Sequence, residues 1–218
     1  TGTGDFALQN TKTVQSGSSL GAGVALTIGN NNASTTYAGV MSGSGGIVKI
    51  GNGTLTLSAP QTYTGDTVLN GGSLVMTGGW LSSSNITVAT GRTLTFSAIS
   101  PVTTVANQIL WGNGTFSGSL NAVSGSGISA GTDGSYGTNT ITGNLTLASG
   151  ALGYFDVTAL ASGANDRVIV NGTLAVNNNV IHLKVPDTSV NLDSTTDYVL
   201  FSSPNNISGT FATTPTWD

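Results

Sequence analysis

The chain has 218 residues and a net charge of −4, and only 6% of its residues are Asp, Glu, Lys or Arg, against about a quarter in ordinary soluble domains. It has no cysteine, which removes thiol nucleophiles, disulfide frameworks and Cys-based zinc sites. Five scattered basic residues (Lys12, Lys49, Arg92, Arg167 and Lys184) make no patch for a phosphate backbone, so nucleic acid is excluded as a partner.

No apolar run approaches the ~18 residues of a membrane-spanning helix, so no transmembrane segment is expected. The opening Thr1-Gly2-Thr3-Gly4 shows no signal peptide, and the chain reads as a fragment or a processed form. All acidic residues are Asp, and 32 residues are Gly. Thr, Val and Ile favour strands, while Gly and Asn favour the turns between them.

Taken in order, the chain repeats itself. An Asn30-Asn31-Asn32 cluster precedes Thr36-Tyr37-Ala38-Gly39, and Thr62-Tyr63-Thr64-Gly65 returns 26 residues later. The phrase Gly53-Thr54-Leu55-Thr56-Leu57 is followed by Gly72-Ser73-Leu74-Val75-Met76 and by Gly91-Arg92-Thr93-Leu94-Thr95-Phe96. Further copies are Gly114-Thr115-Phe116, Gly143-Asn144-Leu145-Thr146-Leu147 and Gly172-Thr173-Leu174-Ala175-Val176. The steps from Leu55 through Leu74, Leu94, Phe116 and Leu145 to Leu174 are 19, 20, 22, 29 and 29 residues. More Asn clusters stand at Asn177-Asn178-Asn179 and Asn205-Asn206.

Within each phrase apolar and polar residues alternate, the period of a strand with one face buried. Leu55/Leu57, Ile86/Val88, Leu94/Phe96, Leu145/Leu147, Val168/Val170 and Ile181/Leu183/Val185 are predicted to point inward. Coils of ~20–30 residues built from such short strands are the signature of a β-solenoid. The predicted fold is all-β, a single-stranded right-handed parallel β-helix. Residues 1–218 form one domain of some eight coils, with a rod length of roughly 40 Å at the strand spacing. A β-sandwich or jelly roll also fits frequent turns, but not a fixed-spacing Gly-x-Leu phrase.

The stretch 43–76 carries a more specific signal. Gly45, Gly46, Lys49, Gly51, Gly53, Thr54, Leu55, Leu57, Thr62, Tyr63, Thr64, Gly65, Asn70, Gly72 and Leu74 follow the pattern of the autotransporter-associated β-strand repeat, also called the passenger-associated transport repeat, and the stretch closely resembles that family. Asn144-Leu145-Thr146-Leu147, Asn165-Asp166-Arg167-Val168 and Tyr198-Val199-Leu200-Phe201 are similar to late passenger regions.

The resemblance implies a secreted or surface-displayed β-helical stalk, anchored at the outer membrane in the full-length protein. It implies a translocator β-barrel as partner, beyond this chain. The implied role is to support export, folding and display, and it leaves open adhesion, self-association or a surface ligand.

Candidate chemistry is sparse. Asp156 and Asp166, with Arg167 beside them, are the best catalytic candidates, since paired carboxylates serve in glycoside hydrolysis; a polysaccharide lyase or glycosidase is the alternative reading. Alternation turns Asp156 outward, and Asp166 reads as a turn cap before strand 168–170. His182 is the lone histidine and is predicted to point outward beside Lys184. Lys49 is predicted to point outward between Val48 and Ile50, paired with Asp66. Tyr37 and Tyr63 are predicted to stack at equivalent positions of nearby coils. Trp80, Trp111 and Trp217 share no phase, so no aromatic groove is expected. The chain is therefore read as non-enzymatic, with no catalytic residue, cofactor or metal site assigned.

Overall fold

A computed structural model describes residues 18–185 and 191–217; Lys12 lies outside them. Every pairing between named strands among these residues is parallel, and the partners are never consecutive in sequence. The chain is a parallel β-helix, not a sandwich of antiparallel hairpins. Each coil visits three faces in turn.

One face stacks nine strands: Ala25–Ile28, Gly46–Lys49, Thr67–Leu69, Asn85–Val88, Ile109–Gly112, Gly127–Ser129, Leu152–Asp156, Ile181–Lys184 and Thr216–Trp217. The second stacks eight, from Thr35–Tyr37 through Thr54–Leu57, Ser73–Met76, Thr93–Thr95, Thr115–Ser117, Thr138–Ile141 and Arg167–Val170 to Phe201–Ser202.

The third face is broken. Ser18–Leu20 pairs with Met41–Gly43, and a five-strand sheet begins only at Val102–Thr103. Between them a single bridge joins Gln61 to Leu81. Buried amides serve this side. Gln61 accepts the Met41 N–H at 2.8 Å and donates to the Gly39 and Ala59 carbonyls at 3.0 and 2.7 Å. Gln108 donates to the Leu81 and Ser83 carbonyls at 3.1 and 2.7 Å and accepts the Trp80 indole N–H at 2.7 Å. Backbone groups without a ladder partner must be met some other way when buried, and these side chains meet them.

The core is a set of columns running along the axis. Strand registers place Leu55, Leu74, Leu94, Phe116, Ile141 and Val170 directly over one another on the eight-strand face. All six are buried. Only the first four belong to the Gly-x-Leu series read from the sequence. Leu145 and Leu174 stand instead on the third face, in the column with Leu120 and Ile207. The 29-residue step from Phe116 to Leu145 therefore crosses from one face to another, while that from Leu145 to Leu174 is one coil on the third face, because alternation identifies a strand without saying which face of the coil it occupies.

Corners are closed by glycine and by side-chain staples. Gly51 has φ +67°, and a Cβ there would lie 2.0 Å from the Gly29 carbonyl oxygen of the coil below. Asn32, with φ 58°, accepts the Asn52 N–H at 2.8 Å. Asn113 accepts the Thr138 N–H at 2.6 Å and Asn144 accepts the Thr173 N–H at 2.9 Å. The Asn residues thus bind each corner to the next coil, beyond permitting the turn.

Candidate functional site

Two constellations stand out: a corner built around Lys49, and a carboxylate cluster on the outside of the nine-strand face.

Strand Gly46–Lys49 buries Ile47 and Lys49 and turns Val48 outward, the opposite phase to that predicted. Lys49 is 1% exposed and sits in the column between Ile28 and Leu69. Its ammonium donates to the Ile50 carbonyl at 2.6 Å and to the Gly51 and Gly71 carbonyls at 3.2 Å each. These carbonyls converge from two successive coils where the glycine corner leaves them without strand partners. The aliphatic stem fills the core and the head group closes the corner, a division of labour that long cationic side chains permit. Burial, with Arg92 adding a smaller repulsion, lowers the Lys49 pKa. No hydrogen bond joins it to Asp66, whose carboxylate accepts from the Asn85 amide at 2.9 Å.

Tyr37 and Tyr63 are both buried but occupy different places. Tyr37 is in register with Leu57 on the eight-strand face. Tyr63 follows the Gln61 corner, where its N–H bonds Met41 and its hydroxyl meets Thr67 Oγ1 at 2.6 Å. Thr67 in turn contacts Ser83 Oγ at 2.6 Å. The predicted equivalence of the two tyrosines therefore fails: similar phrases precede different corners. Burial pushes the Tyr63 hydroxyl up to about 12.

The second constellation begins with Leu152–Asp156, whose alternation turns Tyr154 and Asp156 to the outside. Register places His182 beside Tyr154 and Lys184 beside Asp156. The rings of Trp111 and Tyr154 stack at 6.2 Å between centroids, and those of Tyr154 and His182 lie 5.0 Å apart. An outward aromatic column thus exists where none was expected. Its members are one tryptophan, a tyrosine and the histidine. The missed signal is the 28-residue offset shared by Tyr154/His182 and Asp156/Lys184. Of the other tryptophans, Trp80 packs edge-on against Phe96 and Trp217 is exposed.

Asp156 and Asp166 are brought together, both buried, under a loop spanning 130–137. Asp166 accepts the Gly137 N–H at 2.7 Å and the Asp156 N–H at 2.8 Å. The N–H groups of Gly134 and Ser135 are directed at Asp156. Lys184 forms an ion pair with Asp133 at the loop tip. Desolvation raises the pKa of both carboxyls, Asp166 to about 7, against the lowering effect of their backbone donors. Arg167 is exposed at the start of its strand and takes no part.

The recess among these groups measures about 50 Å³, room for one or two waters and not for a sugar ring. With backbone donors on both oxygens of Asp166, the geometry fits a clamp that holds the loop to the coil. The expected turn cap at Asp166 is not what forms: its carboxylate serves Asp156 and, 29 residues back, Gly137, while Asn165 ties the turn by donating to the Leu160, Ala161 and Gly163 carbonyls.

The model of the passenger-associated-transport-repeat matches residues 47–76, inside the stretch singled out from the sequence. The matched segment runs from the strand before the Lys49 corner through Gln61 and Tyr63 to the strand Ser73–Met76, about one and a half coils. Over that stretch the chain carries a passenger-associated transport repeat. No curated protein and no solved structure matches it.

Proposed function

We propose that this chain is a stalk segment of a bacterial autotransporter passenger that supports export, folding and surface display, working with a translocator β-barrel in the full-length protein. The product is secreted or held at the cell surface. The carrying observation is the parallel ladder, unbroken along the nine- and eight-strand faces: each coil offers the next a row of backbone partners and an apolar column. A chain emerging at one end can therefore fold onto what has already emerged, and stacking opposes its return. Adhesion or self-association along the weakly charged Thr- and Asn-bearing faces is the further role we assign to the displayed rod, since few charges repel neighbouring rods. The water-sized recess at Asp156 and Asp166 favours the stalk over a polysaccharide-acting enzyme.

The test uses the full-length protein in an outer-membrane-bearing host. Leu74→Ala opens a void between Leu55 and Leu94 and is expected to cost about 3–5 kcal/mol. Surface display, read by protease accessibility on whole cells, should fall with it. Undiminished display from a passenger so weakened would end the proposal. Sedimentation equilibrium tests self-association, which strictly monomeric behaviour at high concentration would rule out.

A further inference from the structure

The geometry points to a saccharide-binding site: the concavity on the corner between the nine-strand and eight-strand faces, walled by loop 130–137, takes a neutral sugar. Coil stacking by itself has no use for this loop. It lengthens its coil between strands Gly127–Ser129 and Thr138–Ile141 and projects from the rod, yet it is held in place from several sides. Gly112 and Gly131 exchange N–H···O bonds of 2.7 and 2.8 Å. Thr132 and Ser135 close its turn, their hydroxyls 2.8 Å apart. Asp166 holds Gly137, Asp156 receives Gly134 and Ser135, and Lys184 holds Asp133. Two desolvated carboxylates are costly fixtures for a rod whose interior is apolar. What they secure is the position of one wall.

The open groove beside that wall measures about 340 Å³, a volume comparable to small-molecule sites though it is a surface groove and not a closed cavity. Its lining includes Asn70, Thr87, Thr90, Asn113, Thr132 and Tyr136, and no lining residue is charged. An anionic or cationic ligand would find no countercharge there. A purely apolar ligand would strip water from amides and hydroxyls without replacing their hydrogen bonds. A neutral sugar offers hydroxyls for those groups and an apolar ring face for the half-exposed ring of Tyr136. Trp111 is in register with Thr87 on the neighbouring coil and lines the adjoining recess at Asp156, so its fluorescence can report changes at the loop. A wall fixed beforehand lowers the ordering cost of a weak polar ligand.

The inference is independent of the stalk proposal, because it is read on the isolated chain and not through export. The chain is titrated with cellobiose, maltose and N,N′-diacetylchitobiose while amide chemical shifts and tryptophan fluorescence are followed. At least one sugar should give saturable shifts confined to residues 87–90, 112–113 and 131–136. Tyr136→Ala should weaken that binding tenfold or more with an unchanged unfolding temperature, and Tyr136→Phe should retain it within about twofold. Three outcomes overturn the assignment: no saturable shift with any sugar, binding indifferent to Tyr136→Ala, or tighter binding of the charged digalacturonate.

Discussion

Replacing Lys49 by Met keeps the stem and removes the ammonium, isolating the role of the buried head group. The Ile50, Gly51 and Gly71 carbonyls each lose a charge-assisted donor at 2.6–3.2 Å. None of the three accepts a backbone N–H among the described residues outside the strand ladders. Hydrogen bonds to a charged partner contribute about 1.5–3 kcal/mol each. Against their sum stands the desolvation of a buried cation, several kcal/mol after relaxation. The difference leaves Lys49→Met destabilised by about 2–4 kcal/mol. Lys49→Ala should lose about 2 kcal/mol more, because the stem's place between Ile28 and Leu69 becomes a void. Urea unfolding followed by far-ultraviolet circular dichroism measures both, with an unchanged m-value showing that the same structure unfolds. A Met variant as stable as the parent would refute the reasoning: the carbonyls would then be satisfied without the cation, and Lys49 would be only a filler.

Other consequences can be measured on the same footing. Asp166 is raised from 3.8 to about 7 in the folded chain, so between about pH 4 and pH 7 the folded state binds more protons than the unfolded one. Its contribution to stability is full below pH 4 and is lost as pH rises through 7, on the order of 4 kcal/mol at most and less once solvent screening is allowed for; a pH series of urea midpoints should show the decline, and Asp166→Asn should flatten it. Gly51→Ala forces a side chain into a left-handed corner and against the Gly29 oxygen at 2.0 Å; a loss above about 3 kcal/mol is expected from strain and clash together, read as a lower unfolding temperature. Gln108→Leu strands the Leu81 and Ser83 carbonyls and the Trp80 indole, and about 3 kcal/mol should be lost, again from urea midpoints.

Much of the scaffold is legible in the sequence because a solenoid writes its core as a local pattern. Leu55, Leu74 and Leu94 are spaced by one coil each, and alternation gives the correct inward phase at Ile86/Val88, Leu145/Leu147 and Val168/Val170. Lys49 defeats that reading for a physical reason. Alternation assigns direction by hydropathy, whereas this cation is drawn inward by a knot of carbonyls formed only after two coils have stacked. Gln61 and Gln108 escape notice likewise, since the carbonyls they serve flank the gap in the third face. The outer cluster is half visible: Tyr154, Asp156, His182 and Lys184 show matching steps of two. The partnership of Asp156 with loop 130–137 depends instead on how far that loop folds back, which no local pattern records.

The broken third face has a consequence for how this rod tolerates editing. Because contacts run between adjacent coils, a segment that begins and ends at the same angular position can be excised and its neighbours still meet in phase. Removing the stretch that carries the axis from Leu55 to Leu74 would bring matching columns together, while removing half as much would turn every following side chain to the wrong face. The tolerance should be greatest beyond the coil that carries Gln108, where three continuous sheets offer interchangeable stacking surfaces. It should be poorest near Gln61 and Gln108, whose amides fit one particular neighbour. Length is thus adjustable in whole turns along one part of the rod and locked along another.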